Sequence, residues 1–536
     1  MNGRCWVALA ACVAQLISAA PAAAAVHQDA LVRTDLGWVK GAQASDHRVF
    51  RGIPYAAAPT GDRRWRSPAP ARPWPGVRDA AEPGPRCAQP ATPGGPTGAS
   101  EDCLYLDVTV PGTANGRKPV MVWLHGGGFV EGAGSDFDAR HLATAGDVIV
   151  VTVNYRLGVF GLFAHPGLAG SGGFALEDQQ AALRWVRRNA TAFGGDPGNI
   201  TLFGESAGGK SVCAHLASPG AAGLFQRAIM QSAPCTGTVP AGTMFPGVPA
   251  FRQWPSVADR QPDGARLAAG LGCGDPATAL TCLRRVPTER LLPLHDQFIT
   301  PAVGSQVLPR DPERALATGR FHRVPVISGT TRDEMRYMVA LFYELPGTPI
   351  TARTYARLLR RAFGARAGRV ARRYPLDRYA SPGLAWATLT TDVVFACPTY
   401  ERNRSIAQWV RTYAFEFAGD DVTTKIPNSD FPLGSAHGAE LAYLFPVPGL
   451  DARRRRLSAT MIGYWTAFAR TGDPNAPGLP RWQTFAPARP STQSLAAPPD
   501  PTGPINVAAD HRCAFWAKEL SPATVVQIRR RLADEP

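Results

Sequence analysis

The sequence predicts one large α/β domain, residues 26–536, organised around a doubly wound and mostly parallel β-sheet. Short segments that are apolar throughout alternate along the chain with segments of helical spacing. Such fully apolar strands are typical of parallel sheets that are covered by helices on both faces. A hydrophobic fraction of 45% over 536 residues is sufficient for a large core. Neither an internal repeat nor a convincing linker divides the sequence.

The predicted elements follow one another in the order that this architecture requires. Residues 31–51 alternate between polar and apolar side chains, which indicates antiparallel strands that precede the main sheet. Residues 176–193 have helical spacing, with Leu183, Val186 and Phe193 on one side. Buried strands are predicted at residues 119–124, 147–154, 225–231 and 324–328, and a further one begins at residue 200.

Two segments interrupt this alternation, residues 234–323 and 336–428. Both are helical or irregular and contain much of the remaining Pro and Arg, which indicates insertions over the carboxyl edge of the sheet. Ligands bind at that edge in open α/β folds, so we expect the insertions to form the substrate pocket. The arginine-rich run 353–373 within the second segment is interpreted as a solvated helix face.

The first 25 residues have the pattern of a signal peptide. A basic start at Met1–Arg4 precedes an apolar stretch, and small residues before Val26 supply an Ala-x-Ala cleavage site. We therefore expect a secreted or periplasmic protein. The alternative is a lipoprotein attached through Cys12, because Leu9-Ala10-Ala11-Cys12 resembles a bacterial lipoprotein cleavage site. No later segment approaches the roughly 20 apolar residues of a membrane span, so no transmembrane segment is predicted.

The formal charge of +15 comes almost entirely from arginine, since only five of the 57 basic residues are lysines. The arginines are scattered through an Ala-, Gly- and Pro-rich sequence, and neither a stacking-aromatic platform nor a nucleic-acid motif accompanies them. We therefore predict no nucleic-acid partner. Attraction to an anionic surface or an acidic substrate stays open.

Eight cysteines lie beyond the predicted signal peptide, and export makes disulfides plausible. Cys87 and Cys103 bracket a Pro/Gly-rich loop, and Cys273 and Cys282 bracket a tight turn, but spacing alone does not assign partners. Metal binding is the alternative use of cysteine. Because no Cys-x-x-Cys or His-x-x-x-His grouping supports it, we predict neither a metal nor another cofactor.

A Gly-x-Ser-x-Gly motif at residues 204–208 supplies the candidate nucleophile, Ser206. An apolar, β-branched run precedes the motif and a small-residue helical segment follows it. A strand, a sharp turn and a helix of this kind expose a serine Oγ beside the positive end of a helix. The motif alone is a weak indication of a nucleophile, and the strand before it and the helix after it make the assignment more specific.

An oxyanion hole is predicted from the glycine loop that follows the strand at residues 119–124. Consecutive glycines allow amide groups to approach a carbonyl oxygen, so Gly127 and Gly128 are candidate donors together with Ala207, the residue after the serine. The alternative is a flexible turn, which a triple glycine between a buried strand and Phe129 makes the less favoured reading.

Among ten histidines, His437 is the candidate base, because it lies in a small-residue loop that presents an imidazole without crowding it. The candidate acid is Glu334, which follows the strand at residues 324–328. Asp333 is its rival, and local sequence does not separate the two. The resulting order of serine, acid and histidine is that of α/β-hydrolases. His322 and His511 are interpreted as surface or capping residues.

Ordered motifs along nearly the whole chain resemble those of the type-B carboxylesterase/cholinesterase family. Residues 101–108 are similar to one family signature, with Asp107 in place of the usual Asn, and residues 203–209 are similar to the serine signature. Further similar segments are residues 50–56, 154–158, 193–197, 464–465 and 472–475. The resemblance implies an α/β-hydrolase fold, a central and mostly parallel twisted sheet with helical insertions over the active site.

Carried over residue by residue, the resemblance implies a catalytic triad of Ser206, Glu334 and His437, and favours Glu334 over Asp333. It also implies the oxyanion donors named above and a buried hydroxyl of Ser232 that supports the acid. Three disulfides are implied, Cys87–Cys103, Cys273–Cys282 and Cys397–Cys513, and two ion pairs, Arg64–Glu101 and Arg156–Asp178. Cys213 and Cys235 stay unassigned.

The sequence departs from the family in two places. Met335 replaces the glycine that usually follows the acid, which puts the local loop geometry in doubt. The loop between Cys87 and Cys103 is too short to resemble the tryptophan-bearing loop that binds choline in cholinesterases, so quaternary-ammonium specificity is not expected.

The predicted function is that of a secreted serine carboxylesterase, which hydrolyses small-molecule esters through an acyl-enzyme intermediate. The alternatives are a lipase that acts on aggregated long-chain esters and a non-catalytic adhesion protein of the neuroligin type. The filled triad positions argue against the adhesion protein. The sequence does not predict the natural substrate or the oligomeric state.

Overall fold

A computed structural model describes residues 30–91, 99–113, 116–420 and 429–520. The predicted signal peptide lies outside these residues. Within them, no helix combines the length and the apolar character needed to cross a membrane.

The described chain contains strands that we number in chain order. They are β1 Leu31–Thr34, β2 Gly37–Lys40, β3 Ala42–Gln43, β4 His47–Pro54, β5 Val77–Asp79, β6 Arg86–Cys87, β7 Ala99–Ser100, β8 Tyr105–Pro111, β9 Lys118–Leu124, β10 Ile149–Val153, β11 Gly195–Glu205, β12 Arg227–Gln231, β13 Thr238–Val239, β14 Phe251–Arg252, β15 Val326–Thr331, β16 Thr412–Phe417, β17 Thr492–Leu495 and β18 Gly503–Ile505.

Eleven of these strands form one sheet in the order β18-β17-β16-β15-β12-β11-β9-β10-β8-β4-β3. The pairs from β17 through to β10 are parallel, and antiparallel strands complete both edges. Every residue of β9 and of β15 is buried, as expected for central strands that are covered on both faces. The mostly parallel α/β sheet predicted from the sequence is confirmed.

The helices are α1 Arg140–Gly146, α2 Gly158–Leu162, α3 Phe174–Asn189, α4 Ala207–Ala217, α5 Val257–Gly270, α6 Ala279–Arg285, α7 Thr288–Leu291, α8 Pro312–Ala317, α9 Arg336–Val339, α10 Ala352–Phe363, α11 Ala367–Arg373, α12 Pro382–Thr391, α13 Cys397–Ile406, α14 Leu441–Leu444, α15 Ala452–Thr471, α16 Val507–Asp510 and α17 Cys513–Glu519. One-turn π-helices follow α9 and α12, at Ala340–Glu344 and Asp392–Ala396.

Helices pack on both faces of the sheet. Helices α3 and α4 contribute to the core on one face, where Leu183 and Val212 are fully buried. The long helix α15 contributes to the core on the other face through Met461 and Trp465. A third cluster joins α10, α12 and α17 beyond the sheet. The sheet therefore has two apolar faces, which is why apolar residues predominate in central strands such as β9 and β10.

The structure corrects two boundaries. The second segment expected to be an insertion, residues 336–428, contains β16, which lies within the main sheet, so the part off the sheet ends before Thr412. The strands expected to precede the main sheet are divided. Strands β3 and β4 extend its edge, whereas β1, β2 and β5 form a separate three-stranded sheet.

Four disulfides are present in the described chain. Three are the pairs implied by the resemblance, Cys87–Cys103, Cys273–Cys282 and Cys397–Cys513. The fourth joins the two unassigned cysteines, Cys213 and Cys235, which are both fully buried. The implied ion pairs Arg64–Glu101 and Arg156–Asp178 are present as well, with oxygen–nitrogen distances of 2.5 and 2.7 Å.

Candidate active site

Ser206 lies in the turn between β11 and α4, at the carboxyl edge of the sheet. Its backbone has φ +54° and ψ −119°, a strained conformation for a residue with a side chain. The flanking glycines are required by close approach of the backbone. A Cβ on Gly208 would lie 1.9 Å from the carbonyl oxygen of Leu124 in β9. The turn therefore forms only because the helix can pack directly against the neighbouring strand.

Ser206, His437 and Glu334 form one hydrogen-bonded chain. The Ser206 Oγ lies 2.9 Å from His437 Nε2, and His437 Nδ1 lies 2.5 Å from Glu334 Oε2. Glu334 is fully buried, whereas Ser206 and His437 are partly exposed. A buried carboxylate thus orients an imidazole whose other nitrogen faces an accessible hydroxyl. This arrangement has the geometry of a nucleophile, a base and an orienting acid.

The backbone fixes the carboxylate of Glu334. The amide of Thr331, at the end of β15, donates to Glu334 Oε1 at 2.9 Å, and the His437 amide donates to the Glu334 carbonyl at 3.2 Å. Met335, where the family usually has glycine, is buried, and its amide donates to Thr391 Oγ1 at 3.0 Å. The methionine is therefore accommodated without moving Glu334 away from the imidazole.

The Asp333 carboxylate has partners other than His437. Its Oδ2 accepts a hydrogen bond from the Ser435 amide at 3.1 Å, and its Oδ1 pairs with Arg336 at 2.8 Å. Asp333 therefore contacts the loop that carries the histidine but not the imidazole itself. Of the two neighbouring acids, only Glu334 reaches His437.

The glycine loop after β9 lies against the nucleophile turn. A Cβ on Gly126 would lie 3.2 Å from the Ser206 Cβ and 2.6 Å from Glu205 Oε2. Gly127 and Gly128 both have positive φ, +97° and +62°. None of the amides of Gly127, Gly128 and Ala207 donates a hydrogen bond to another described residue. Beside the serine, the chain thus carries amide donors that are not used by the fold.

Two further carboxyl groups lie around the imidazole, and the sequence analysis did not identify them. Glu205 Oε1 lies 3.2 Å from His437 Nε2. Glu440 accepts a hydrogen bond at 3.1 Å from the Gln231 amide nitrogen, and the Gln231 oxygen accepts one from the Trp465 indole at 3.0 Å. A signal for Glu205 existed, since it is a charged residue at the end of an otherwise apolar strand.

The pKa values of these groups depend on one another. Burial raises the pKa of both Glu205 and Glu440, and repulsion from Glu334 adds to it. Burial lowers the pKa of His437, but the negative charges of Glu205 and Glu334 outweigh this effect and raise it above the usual range. The cluster therefore holds protons more tightly than the isolated side chains would.

Two other expectations differ from the structure. Ser232 is buried, but its Oγ has no hydrogen-bond partner among the described residues, so it does not support the acid directly. His511 is not a surface residue, because only 6% of it is exposed and it lies between Asp392 and Glu416. His322 is partly buried and contacts the Phe225 carbonyl oxygen at 2.9 Å.

Where the chain is described, no group of three or more His, Cys, Asp or Glu side chains is arranged to hold a metal ion.

Comparison with known proteins agrees with this geometry. The profile of the carboxylesterase family matches residues 28–516. The chain is 36% identical over 476 residues to a para-nitrobenzyl esterase of Bacillus subtilis (strain 168), an alignment that covers 85% of this chain and 92% of that protein. It is 33% identical to carboxylesterase 1D of Rattus norvegicus, with 90% of each chain covered.

Solved structures give the same result. A PNB esterase superimposes with a TM-score of 0.71 at 34% identity, covering 88% of this chain and 98% of the other. A thermophilic PNB esterase gives a TM-score of 0.72 at 33% identity with the same coverage. These neighbours confirm the α/β-hydrolase fold. By its sequence, its fold and the extent of both matches, the chain belongs to the carboxylesterase family and is a carboxylic ester hydrolase.

Proposed function

We propose that the protein is an exported serine carboxylesterase that works through an acyl-enzyme intermediate on Ser206. The observation that carries this proposal is the continuous hydrogen-bonded chain from Ser206 through His437 to Glu334. A serine hydroxyl is a weak nucleophile at its ordinary pKa, and an adjacent base that removes its proton activates it.

In the first half of the reaction, the Ser206 Oγ attacks the carbonyl carbon of the ester and its proton passes to His437 Nε2. The imidazolium that forms is stabilised by the Glu334 carboxylate at Nδ1, 2.5 Å away. The carbonyl oxygen becomes an oxyanion, for which the amides of Gly127, Gly128 and Ala207 are the proposed donors. Loss of one such donor typically costs about 10²- to 10³-fold in turnover.

The tetrahedral intermediate then collapses. The bond between the carbonyl carbon and the alcohol oxygen breaks, and His437 returns its proton to the leaving alcohol. In the second half, His437 takes a proton from water, which attacks the acyl group on Ser206. The acid leaves and the Ser206 Oγ regains its proton, so the enzyme returns to its starting state.

Export is part of the proposal. Four disulfides in the described chain support it, because disulfides persist in oxidising compartments. The predicted signal peptide, residues 1–25, agrees with this assignment. N-terminal sequencing of the protein recovered from the periplasm or the medium should begin at or near Val26. A blocked or lipid-modified Cys12 would instead support the lipoprotein alternative.

The nucleophile is tested with a panel of chromogenic esters of increasing acyl length and with a serine-directed phosphonate. Wild-type protein should hydrolyse short soluble esters and be labelled stoichiometrically by the phosphonate, with the label on the peptide that contains Ser206. Ser206→Ala should abolish both. Greater activity on emulsified long-chain esters than on soluble ones would indicate a lipase, and unlabelled wild-type protein would contradict the proposal.

The acid is tested with a matched pair of isosteric changes in one loop. Glu334→Gln should lower kcat by between about 10² and 10⁴-fold, because the amide no longer favours the imidazolium. Asp333→Asn should change kcat little, since the Asn oxygen can still accept from the Ser435 amide. If Asp333→Asn caused the larger loss while both variants stayed folded, the assignment of the acid would be wrong.

A further inference from the structure

A π-helical turn between α12 and α13 contacts His437, and the residue before this turn contacts the loop that carries Glu334. The turn, Asp392–Ala396, places the Phe395 ring beside the His437 ring, with ring centroids 5.2 Å apart. Thr391, directly before the turn, accepts the hydrogen bond from the Met335 amide, the residue that follows Glu334. Such π-turns are rare and are found frequently at functional sites.

The first residue of the turn is held by three side chains. Asp392 is fully buried, and its Oδ1 lies 2.6 Å from His511 Nδ1. Its Oδ2 accepts hydrogen bonds from the Tyr374 hydroxyl at 2.6 Å and from the Arg512 guanidinium at 3.2 Å. The start of the turn is therefore fixed from the C-terminal segment of the described chain.

The other nitrogen of the same imidazole reaches the main sheet. His511 Nε2 lies 2.6 Å from Glu416 Oε2, on strand β16. Glu416 is the register partner of Thr330 on β15, and the next residue, Thr331, donates the amide hydrogen bond that fixes the Glu334 carboxylate. His511 thus joins the π-turn to β16, the neighbour of the strand β15 that leads to Glu334.

His511 is charged in this position. Burial lowers its pKa, but hydrogen bonds to Asp392 and Glu416 outweigh burial and raise the pKa to about 10. Both ring nitrogens are then donors, so the imidazolium bridges two carboxyl groups that face each other across it. Arg512 and Tyr374 are the other ionisable groups packed against the bridge.

The bridge formed by Asp392, His511 and Glu416 is not needed merely to hold these two segments together. The disulfide Cys397–Cys513 already joins the helix after the π-turn to the segment after His511, with Cα atoms 5.1 Å apart. Taking an imidazolium and two carboxyl groups out of water is costly, and buried ion clusters often add no net stability. What the bridge adds beyond the disulfide is a fixed direction of the π-turn relative to β16.

We infer that three residues, Asp392, His511 and Glu416, position the proposed base. They hold Phe395 against the His437 ring and Thr391 against the loop that carries Glu334. This inference rests on the proposed role of His437. A displacement of about 1 Å in a reacting group can cost up to about 100-fold in rate, so loss of the bridge should lower the chemical rate without changing how the ester binds.

The test uses His511→Gln and Glu416→Gln in the full-length protein, with Glu519→Gln as the matched control. Glu519 lies on α17, the helix that begins two residues after His511, and pairs with Arg369 at 3.0 Å. The control therefore loosens this neighbouring helix without removing a partner of the bridge. For each folded variant, kcat and KM on a soluble short-chain ester and the rate of phosphonate labelling are measured below its Tm.

Both bridge variants should lose between about 10- and 100-fold in kcat and in labelling rate, with KM within about twofold of wild type. Phe395→Leu should reproduce part of this loss, and Glu519→Gln should lower Tm alone. The inference is overturned if either folded bridge variant keeps wild-type kcat, if only KM changes, or if Glu519→Gln loses as much. If His511→Gln fails to fold, Glu416→Gln decides, because the isosteric amide preserves the packing but removes the negative charge that holds the imidazolium.

The Ser206→Ala arm separates this result from the proposed function. If Ser206→Ala keeps esterase activity, the proposed mechanism fails whatever the bridge variants do. If Ser206→Ala is inactive while the bridge variants are fully active, only the positioning role fails.

Discussion

Replacing Glu205 by glutamine should shift the pH dependence of the esterase. Glu205 Oε1 lies 3.2 Å from His437 Nε2, the nitrogen that we propose takes the serine proton. Its negative charge is one of the interactions that raise the pKa of His437. Because the base works only when it is unprotonated, activity rises with pH through this pKa. Glu205→Gln lowers the pKa, so the acidic limb of kcat/KM should move to lower pH.

The geometry sets the size of the shift. Two unit charges 3.2 Å apart interact by about 5 kcal/mol at an effective dielectric constant of about 20, which corresponds to an upper limit of about 4 pKa units. Burial raises the pKa of Glu205 itself to about 8, so Glu205 and His437 titrate over neighbouring pH ranges. Because the two titrations are coupled, we expect an observed shift of about one unit.

The same charge also stabilises the imidazolium during the reaction. Glu205→Gln should therefore lower the plateau rate as well, by about tenfold for each 1.4 kcal/mol of lost stabilisation. The glutamine variant is thus expected to be slower on the plateau above the pKa of His437 and to keep a larger fraction of its plateau activity in acid.

The assay is the pH profile of kcat/KM for a short nitrophenyl ester, with Tm followed across the same range. Glu440→Gln is the graded control, because Glu440 also raises the pKa of His437 but contacts Gln231 rather than the imidazole. Its shift should have the same sign and be smaller. An unchanged acidic limb in folded Glu205→Gln, or a larger shift in Glu440→Gln, would refute the electrostatic reasoning.

Three further outcomes are expected. Gly208→Ala should prevent folding of the nucleophile turn, since its Cβ would meet the Leu124 carbonyl oxygen at 1.9 Å; loss of soluble protein or of phosphonate labelling measures this. Burial raises the pKa of Asp107 to about 6. The protonated side chain therefore contributes to the stability of the fold at low pH, and this contribution is lost as the pH rises from about 4 to about 6. Asp107→Asn should therefore raise the free energy of unfolding in urea at pH 7 to 8 by about 1 kcal/mol, a small value because the group is partly exposed, and should lose this advantage near pH 4. Burial lowers the pKa of Lys210 to about 7, so the native protein gains stability between about pH 7 and pH 10. Lys210→Met should stabilise the protein most at and below neutral pH, and a Tm equal to wild type at pH 6 would contradict this.

The sheet was predictable because its physical cause is local. A strand covered on both faces is largely apolar, and β9, β10, β12 and β15 each overlap a run of the sequence in which apolar residues predominate. Strand β16 was missed although Thr412–Phe417 is entirely buried, because Glu416 interrupts the apolar pattern. That glutamate is buried only because His511, about 95 residues away, supplies its partner.

Local sequence predicted less of the candidate site than of the sheet. Motif context identified Ser206 and the glycine loop, but the choice between Glu334 and Asp333 needed the family resemblance. Both acids follow β15 within a few residues, and their directions depend on partners from distant loops, His437 for one and Ser435 for the other. Local sequence contains no information about those partners, so no reading of the loop alone could separate the acids.

Hydrogen bonding also distinguishes the three carboxyl groups around His437. An ionised carboxylate needs donors on both oxygens when it is buried. Glu334 has them, from the Thr331 amide and from His437 Nδ1. Glu205 and Glu440 each have one buried oxygen without a hydrogen-bond donor among the described residues.

Glu334 is therefore the carboxyl group whose negative charge the surrounding donors stabilise best, whereas burial raises the pKa of the other two. An ionised Glu205 favours the charged form of the His437 ring, and a protonated Glu205 does not. Since the imidazolium of the proposed mechanism forms during attack, an ionised carboxyl group 3.2 Å from Nε2 would stabilise that charge. Burial raises the pKa of Glu205, which limits how strongly this carboxyl group stabilises a protonated histidine before the ester arrives.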